Sequence, residues 1–358
     1  MKYALIGCGR ISPNHIVAAK KNNLDIIAIC DLDMQNMEDK KLKFELPDTV
    51  KMYTDYKEML KIEKPELVAI ATESGKHAAI AIDCMEENCN LIIEKPMALS
   101  LADADNIIRK SKEKQVKVCI CHQNRFNKAI LKIKDAVNKK RFGRMFYATA
   151  SIRWTRDYDY YSRAKWRGTW AQDGGALMNQ CIHNIDLLRW MMGDEIEEVV
   201  AMTDRLNHDY IEAEDFGIAL VKFCNGGYGI IEGTVDIYPC NLEETLCLFG
   251  EKGTVKAGGE AVNIIQEWNF SDCLDIAENV KKEYHEAPPN VYGFGHSKLY
   301  KDIIDAIKDN REPFVSAEAG KRALELVLAI YQSAFLGNKV KLPLKSGSTL
   351  DYTGRFEK

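Results

Sequence analysis

Residues 2–9 read KYALIGCG, an apolar run of strand length that ends in a turn containing Gly7 and Gly9. A segment with helical periodicity follows at once. In a dinucleotide-binding turn the first glycine permits a tight bend, the second lets the backbone approach a pyrophosphate, and the next helix N-terminus supplies amide donors. The third position of the G-x-G-x-x-G pattern is Ser12, so the fingerprint is incomplete. The stretch predicts a first strand followed by a candidate nucleotide site.

The same alternation of strands and helices continues for the first 122 residues. Apolar runs of strand length recur, and amphipathic segments with helical spacing separate them. Such runs are typical of parallel strands that helices cover on both faces. They are DIIAICD (25–31), LVAIAT (67–72), NLIIEKP (90–96) and VKVCICH (116–122). The pattern predicts an α/β fold with an N-terminal Rossmann domain, a doubly wound parallel sheet, over residues 1–122.

The chain after His122 follows a different pattern and predicts a second α/β domain over residues 123–345. GGALMNQCIHNIDLLRWMMG (174–193) predicts one long helix that ends at Gly193, and AEAGKRALELVLAIYQSAFLG (317–337) predicts a final amphipathic helix. Between them, β-rich runs are separated by the turns NGG and EKG, which favour antiparallel hairpins. We therefore expect an open, mainly antiparallel sheet in this domain.

Composition excludes several classes of function. The 358 residues are 46% hydrophobic and 28% charged with a net charge of −4, and no basic stripe indicates nucleic-acid binding. No apolar run approaches the roughly 20 residues that span a bilayer. The eleven cysteines form no CxxC pair and lack histidines at zinc-site spacing, so they indicate buried thiols rather than a metal site. Free thiols in this number favour a cytoplasmic protein.

Asp31 ends the second apolar run, 24 residues after Gly7. An acid at this position accepts hydrogen bonds from both adenosine ribose hydroxyls and repels a 2′-phosphate, which favours NAD over NADP. The alternative is that Asp31 only begins a turn or caps a helix. Thr72 and Ser74 follow the next run and could line the cofactor. His77 is either a further cofactor contact or only the first residue of a helix.

Glu94 and Lys95 lie at the carboxyl end of the run NLIIEKP, the edge where open α/β sheets bind ligands. Pro96 restricts Lys95 to extended geometry, so the lysine is expected in a turn. An ammonium beside a nicotinamide could hydrogen-bond a substrate hydroxyl and favour the alkoxide that precedes hydride loss. Taken alone, a surface lysine in a turn is the simpler interpretation.

Asn179, His183 and Asp186 have the spacing of one helical face in the predicted helix 174–193. Three polar groups on an otherwise apolar helix are costly to bury unless they have partners, and a cleft would explain them. A hydrogen-bonded core histidine is the alternative for His183.

Six motifs in this order resemble the Gfo/Idh/MocA oxidoreductases over nearly the whole chain. They are GCGRISPNH (7–15), EKPMALS (94–100), HQNRFN (122–127), WRGTW (166–170), DGGALMNQCIHNIDLL (173–188) and VYGFGH (291–296). The resemblance implies a Rossmann domain that binds NAD(P) and a C-terminal domain that offers its sheet to a sugar or cyclitol. It implies Lys95 and His183 as the catalytic pair. The usual Asp four residues before that histidine is Asn179 here, which favours an orienting hydrogen bond over a proton relay.

The resemblance also implies which residues contact the cofactor and the substrate. For the cofactor they are Gly7, Gly9, Arg10, Ile11, Asp31, Thr72, Ser74, His77, Glu94, Lys95, Gln123, Trp166 and Arg167. For the substrate they are Lys95, Asn124, Arg125, Arg153, Tyr160, Arg163, Arg167, Asn179, Gln180, His183 and Tyr292. No metal is implied, whereas a homotetramer is.

The segment 153–167 favours a nucleotide-linked substrate. It carries five cationic side chains among aromatic ones, and both a diphosphate and a uronate carboxylate are suited to arginine forks. The motifs of this segment are similar to those of a subgroup, the UDP-N-acetyl-glucosaminuronate (UDP-GlcNAcA) 3-dehydrogenases of surface-polysaccharide biosynthesis. The same residue types are enriched at subunit interfaces, which is the alternative for this segment. For the whole chain, the alternatives are a dehydrogenase of a free sugar or inositol and a non-catalytic NAD-sensing protein.

Overall fold

The structure is a computed structural model and describes residues 1–287 and 293–357. These residues form two compact units. The first unit comprises residues 1–98, 102–121 and 296–321, and the second comprises 99–101, 122–295 and 322–358. The long segment of the second unit begins at residue 122, and the predicted division into residues 1–122 and 123–345 stays a prediction. Residues 296–321 differ from the predicted division, because they pack with the first unit.

The secondary structure alternates in the first 122 residues and becomes rich in strands later. The strands are β1 Lys2–Ile6, β2 Asp25–Cys30, β3 Lys51–Tyr53, β4 Leu67–Ile70, β5 Asn90–Ile93, β6 Val118–Ile120, β7 Met145–Arg153, β8 Ile196–Asp204, β9 Phe216–Phe223, β10 Tyr228–Thr234, β11 Glu243–Gly250, β12 Gly253–Gly258, β13 Ile264–Phe270 and β14 Val340–Lys341. The helices are α1 Ser12–Lys21, α2 Met34–Lys43, α3 Tyr56–Glu63, α4 His77–Glu86, α5 Leu101–Lys114, α6 Lys128–Asn138, α7 Tyr158–Ser162, α8 Ala176–Asn179, α9 Ile182–Met192, α10 Ala277–Glu283, α11 Gly295–Lys308 and α12 Ala317–Leu336.

The first unit contains a parallel sheet with the strand order β3-β2-β1-β4-β5-β6. All neighbours pair in parallel, and β4 is fully buried, as the continuous apolar run predicts. The strand order reverses at β1, which pairs with both β2 and β4. Open α/β sheets bind ligands at the carboxyl ends of strands around this point. Strand β3 has no counterpart among the predicted runs.

The second unit contains a mixed sheet with the order β13-β12-β11-β7-β10-β9-β8-β14. Only β7 and β10 pair in parallel among these strands; the other neighbours are antiparallel, as predicted. The NGG turn joins β9 to β10 with a positive φ of 84° at Gly226, and Glu251-Lys252 joins β11 to β12. Helix α9 packs against β7, β10 and β11 on one face of the sheet.

The predicted helix over 174–193 is two helices in the structure. Helix α8 ends at Asn179, and α9 begins at Ile182 after Gln180 and Cys181. Continuous helix over this segment is therefore a wrong prediction, although α9 ends before Gly193 as expected, with a φ of 113° there. The final amphipathic helix is confirmed as α12. Among the described residues, no helix combines the length and the apolar character that crossing a membrane requires.

Candidate active site

The turn after β1 has the geometry of a dinucleotide-binding loop. Gly7 has a φ of 96°, and a Cβ there would lie 2.4 Å from the carbonyl oxygen of Ala71. Both facts require glycine, because the turn passes directly over the end of β4. At Gly9, by contrast, a Cβ would meet no atom within 4 Å, so the backbone there is open. The hydroxyl of Ser12 donates to the carbonyl of Gly9 at 2.7 Å, so a serine closes the turn at the third fingerprint position.

Asp31 lies beside this turn at the end of β2. Its carboxylate accepts hydrogen bonds from the backbone N–H of Cys8 at 2.6 Å and from that of Asp33 at 2.9 Å. These bonds hold an anionic group next to an open backbone, and α1 begins directly after the turn. The residues present therefore fit NAD: Gly7, Gly9 and the start of α1 suit the pyrophosphate, and Asp31 suits the adenosine ribose. Arg10 is exposed and Ile11 is partly buried at the start of the helix.

Replacing Asp31 with serine is expected to weaken NAD binding by about 10–100-fold, because hydrogen bonds to a charged acceptor contribute about 1.5–3 kcal/mol. The affinity for NADPH relative to NADH should rise, since the repulsion between the carboxylate and the 2′-phosphate is removed. Fluorescence titration with NADH and NADPH measures both effects. Asp48→Ser is the matched control, because Asp48 is fully exposed in this unit. An unchanged NADH affinity in Asp31→Ser would contradict the ribose role.

The turn that bears Lys95 is anchored through the residue before it. Glu94 is buried, and its carboxylate accepts a hydrogen bond from His15 Nε2 at 3.0 Å, with His296 Nε2 at 3.6 Å. The other carboxylate oxygen accepts the backbone N–H of Lys95 at 3.2 Å. Burial opposes ionisation of Glu94, but the hydrogen bond from His15 and the nearby His296 ring hold its pKa well below the ordinary value. Glu94 thus acts as a fixed anion that positions the turn.

His77 anchors the same turn from the other side. Its Nδ1 lies 2.8 Å from the carbonyl oxygen of Pro96, and its Nε2 lies 3.1 Å from that of Thr72. Burial lowers the pKa of His77, so the ring is neutral and donates one N–H to one of the two carbonyls. His77 therefore links the Lys95 turn to the end of β4. Lys95 is half-buried, and Ser74, three residues before His77 in the chain, is buried.

Three residues of this arrangement are absent from the predicted site. His15, His296 and Tyr300 join Glu94 in a buried chain, in which the Tyr300 hydroxyl lies 2.7 Å from His15 Nδ1 and 2.8 Å from the Tyr3 hydroxyl. Two of them stand inside the motifs GCGRISPNH and VYGFGH, which is the only signal that marked them. No feature of the sequence marked Tyr300, because it occupies an apolar position of helix α11, where an aromatic residue indicates packing.

Two clusters in the described residues offer donor atoms close enough for a metal: His15 with Glu94 and Cys121, and His208 with Asp215 and Asp236. In both clusters the histidine nitrogens already face hydrogen-bond partners. His208 Nδ1 lies 3.1 Å from Asp215 and 2.9 Å from Asp236, and Nε2 faces the Arg156 carbonyl at 2.7 Å. Burial opposes the charge, but the two carboxylates raise the pKa of His208 to about 9. We interpret both as hydrogen-bonded networks, the second of which holds the segment 153–167.

His183 lies in the first turn of α9 and is almost fully buried. Its ring packs nearly perpendicular to the His122 ring, with centroids 5.7 Å apart. Asn179 belongs to the separate helix α8, and its side-chain amide donates to Asp173 at 2.6 Å. Asp173 in turn accepts the backbone N–H of Gly168. Asn179 therefore ties α8 to the loop 168–173, and its orienting role at the site stays a prediction.

Asp186, the third member of the predicted polar face, forms a buried ion pair. Its carboxylate accepts two hydrogen bonds of 2.6 Å from Arg125 and one of 3.0 Å from Arg189. The Arg125 guanidinium also lies 4.7 Å from the ring centroid of Trp190. Burial alone would raise the pKa of Asp186, but Arg125 and Arg189 hold it far below the ordinary value. The contacts of Arg125 are thus internal, and its predicted substrate contact stays a prediction.

The segment 153–167 is organised around Tyr160. The guanidinium groups of Arg156 and Arg167 lie 5.1 and 4.3 Å from its ring centroid, and Gln180 Nε2 donates to its hydroxyl at 3.3 Å. Arg167 also donates to the Tyr160 carbonyl and lies 5.6 Å from the ring of Trp166. The structure therefore brings four predicted ligand contacts together: Tyr160, Trp166, Arg167 and Gln180.

The other predicted substrate contacts of this segment are placed differently. Arg153 is bound to Glu232 by two hydrogen bonds of 2.8 and 2.6 Å and also pairs with Glu243, so both edges of its guanidinium are occupied by carboxylates. Arg163 is exposed to solvent. Tyr292 lies outside the described residues.

A further group in the second unit surrounds the predicted contacts Gln123 and Asn124. Both are buried in a 3-10 turn at 123–126 that precedes α6. The Asn124 amide lies 3.4 Å from a carboxyl oxygen of Glu244, which is also buried. Glu244 is absent from the predicted site. The only signal was two consecutive glutamates in a strand, where alternation directs one of them to the covered face of the sheet.

Comparisons with known proteins match both parts of the chain. Residues 1–122 match the family model of an oxidoreductase family with an NAD-binding Rossmann fold, and residues 130–256 match that of the GFO/IDH/MocA C-terminal domain. The myo-inositol 2-dehydrogenase of Thermotoga maritima is 25% identical over 349 residues, which cover 96% of this chain and 98% of that protein.

Two solved structures are more similar. The WlbA dehydrogenase from Bordetella pertussis, in complex with NADH and UDP-GlcNAcA, is 36% identical with a TM-score of 0.89, over 96% of this chain and 98% of that chain. The WlbA dehydrogenase from Chromobacterium violaceum, also in complex with NADH and UDP-GlcNAcA, is 35% identical with a TM-score of 0.88, over 96% of each chain. The similarity thus extends over both units.

Proposed function

Because this chain belongs to the GFO/IDH/MocA family and is an NAD-dependent oxidoreductase, we propose that it oxidises the C3 hydroxyl of UDP-GlcNAcA to the 3-keto sugar. The observation that carries the proposal is its 36% identity to a WlbA dehydrogenase whose structure holds NADH and UDP-GlcNAcA. The cationic and aromatic segment 153–167 supports a substrate with a diphosphate and a carboxylate. Within it, Arg163 and Arg167 are the proposed anion contacts, since carboxylates engage both edges of Arg153.

In the proposed mechanism His183 accepts the proton of the C3 hydroxyl, and Lys95 donates a hydrogen bond to the same oxygen. The oxidised nicotinamide supplies the acceptor for the hydride that leaves C3. The ammonium of Lys95 favours the developing alkoxide, and Glu94 with His77 keeps the lysine turn in place, so little reorganisation accompanies proton transfer. An imidazole titrates near neutral pH, which suits His183 to the role of base.

A panel of substrates tests the proposal. Wild-type protein with NAD should produce NADH from UDP-GlcNAcA with a higher kcat/KM than from UDP-GlcNAc, UDP-GlcA or myo-inositol. The second candidate is a free sugar or inositol, which the 25% identical myo-inositol 2-dehydrogenase favours. Faster turnover of myo-inositol than of any UDP-sugar would decide for that candidate. No NADH from the whole panel would favour a non-catalytic NAD-sensing protein.

The proposed assembly is a homotetramer that buries the uncovered face of the mixed sheet. Val200, Leu220 and Ile230 are paired neighbours on β8, β9 and β10, and all three are exposed. Met202 and Ile218 form a second exposed apolar pair on the same strands. A contiguous apolar patch of this kind marks an interaction surface, and a second copy of the chain is the occupant we propose.

Seven of the eleven free cysteines are buried, which supports the proposed cytoplasmic location.

Replacing Leu220 with lysine should break this interface, because burying the four introduced ammonium groups without partners costs more than the apolar contacts contribute. Light scattering after size exclusion should show a smaller species than the wild-type tetramer. Leu42→Lys serves as the control, because Leu42 is exposed on α2 in the other unit. If Leu220→Lys keeps the wild-type mass, the sheet face is not the interface.

A further inference from the structure

Glu243 and Glu244 are consecutive on β11 and lie on opposite faces of the sheet. Glu243 is partly exposed and pairs with Arg153. Glu244 is 2% exposed and pairs across the strands with the buried Ile152, on the face against which α9 packs. A glutamate on the covered face of a sheet requires an explanation, because buried carboxyl groups are normally paired with a cation or fully hydrogen-bonded.

The described residues supply little of that compensation. One carboxyl oxygen of Glu244 lies 3.4 Å from the Asn124 amide, close to the limit for a hydrogen bond, and the other has no hydrogen-bond partner. The amide oxygen of Asn124 is also buried without a hydrogen-bond partner. Two adjacent buried side chains thus each carry an unused oxygen. Native proteins leave few such groups unpaired, and a role in the chemistry or binding of a site is one reason for those that remain.

The Glu244 pair lies in the same part of the second unit as His183. Asn184, the residue after His183, donates its side-chain amide to the carbonyl of Thr245, the residue after Glu244, at 3.3 Å. On the other side, Asn124 follows two residues after His122, whose ring contacts that of His183. Two independent contacts therefore bring the segments bearing Asn124 and Glu244 next to the segment bearing His183.

From this placement we propose that Glu244 and Asn124 form a subsite that binds an uncharged polar group of the sugar, a hydroxyl or the acetamido group. The inference rests on the proposed function and names a residue that determines specificity within it. A protonated carboxylic acid and an amide together offer three donors and two carbonyl acceptors, which suits a hydroxyl or an amide. Burial raises the pKa of Glu244 to about 8, so the acid is neutral at pH 7 and offers its O–H.

Glu214 shows why burial alone does not make such a subsite. It is equally buried, and burial raises its pKa to about 8 as well. Its carboxyl group accepts hydrogen bonds from the Leu177 N–H at 2.8 Å and from the Tyr331 hydroxyl at 2.9 Å. The oxygen without a partner packs on Gly175, where a Cβ would lie 1.5 Å from it, so no ligand atom fits there. Glu214 is therefore the matched control.

The test compares Glu244→Leu, Glu244→Gln and Glu214→Gln with the wild type in steady-state kinetics at pH 7. Glu244→Leu should raise the KM for UDP-GlcNAcA at least tenfold while changing kcat less. Glu244→Gln should stay within about threefold, because an amide also offers a donor and an acceptor. Glu214→Gln should leave this KM unchanged. Thermal unfolding and NADH titration establish that each variant is folded and binds the cofactor, and Asn124→Ala replaces Glu244→Leu if the latter does not fold.

The outcomes separate the subsite from the proposed function. A KM within twofold of the wild type in Glu244→Leu, with UDP-GlcNAcA turned over normally, overturns the subsite alone. An equal rise of the KM in Glu244→Gln and Glu244→Leu contradicts the idea that an uncharged donor and acceptor recognise the sugar. If the wild type oxidises another sugar instead, the proposed function fails, and the same KM criterion applied to that sugar decides the subsite. A penalty seen with UDP-GlcNAcA but not with UDP-GlcA assigns the acetamido group, and an equal penalty assigns a shared hydroxyl.

Discussion

His183→Ala is expected to lower kcat by about 10²–10⁴-fold, the usual contribution of a positioned general base. The imidazole is almost fully buried in the first turn of α9. NADH binding should be nearly unchanged, because the residues that suit the cofactor's pyrophosphate and ribose stand in the other unit. The measurement is single-turnover formation of NADH with UDP-GlcNAcA, together with a fluorescence titration of NADH.

His285→Ala is the matched control for His183→Ala, because His285 is exposed.

Lys95→Met should also lower kcat by about 10²–10³-fold, the effect of removing one hydrogen-bond donor from a developing oxyanion. The two variants distinguish the roles by their pH profiles. The variant that loses the base should lose the acidic limb of kcat, whereas loss of the donor should lower kcat at every pH. Full activity in His183→Ala would contradict the assignment of the base.

Asp186→Ala should lower the free energy of unfolding by about 3–5 kcal/mol, the cost of removing one partner from a buried ion pair. Arg125 and Arg189 are both at most 2% exposed. Arg125 would remain as a buried cation without its carboxylate, whereas Arg189 would keep Asp194 as its one carboxylate partner among the described residues. The hydrogen bonds of 2.6 Å from Arg125 would be lost together with the position of the segment 122–127. Urea unfolding followed by tryptophan fluorescence measures this loss.

Asp135→Ala is the control for Asp186→Ala, because Asp135 pairs with Lys139 on an exposed helical surface. Exposed pairs of this kind contribute about 0.3–0.5 kcal/mol, so the two substitutions should differ about tenfold. A loss below about 1 kcal/mol in Asp186→Ala would show that the two arginines find other partners. The comparison therefore separates a buried ion pair from the mere removal of a carboxylate.

Much of the fold could be predicted from local pattern. The five apolar runs became neighbouring parallel strands. As expected, Gly226 lies in a turn between two strands and Gly193 follows the end of a helix. The candidate Lys95 could be placed at a strand end, because Pro96 and the preceding apolar run are local signals. The break at Gln180 and Cys181 escaped prediction, because helical periodicity continues through it. The return of residues 296–321 to the first unit left no periodic signal either.

By itself the sequence determined the strand–helix alternation, the glycine turn with Asp31, and the two motifs that carry Lys95 and His183. These features depend on residues near one another in the chain, whose spacing sets which side chains share a face. The tertiary structure decided which polar residues are anchors. Glu94 is held by His15 and lies near His296, and Asp186 is held by Arg125 and Arg189. Among the described residues, the side chain of Glu244 has only Asn124 as a partner. Those partners come from distant segments, and whether a buried charge is neutralised depends on distances that no local pattern encodes.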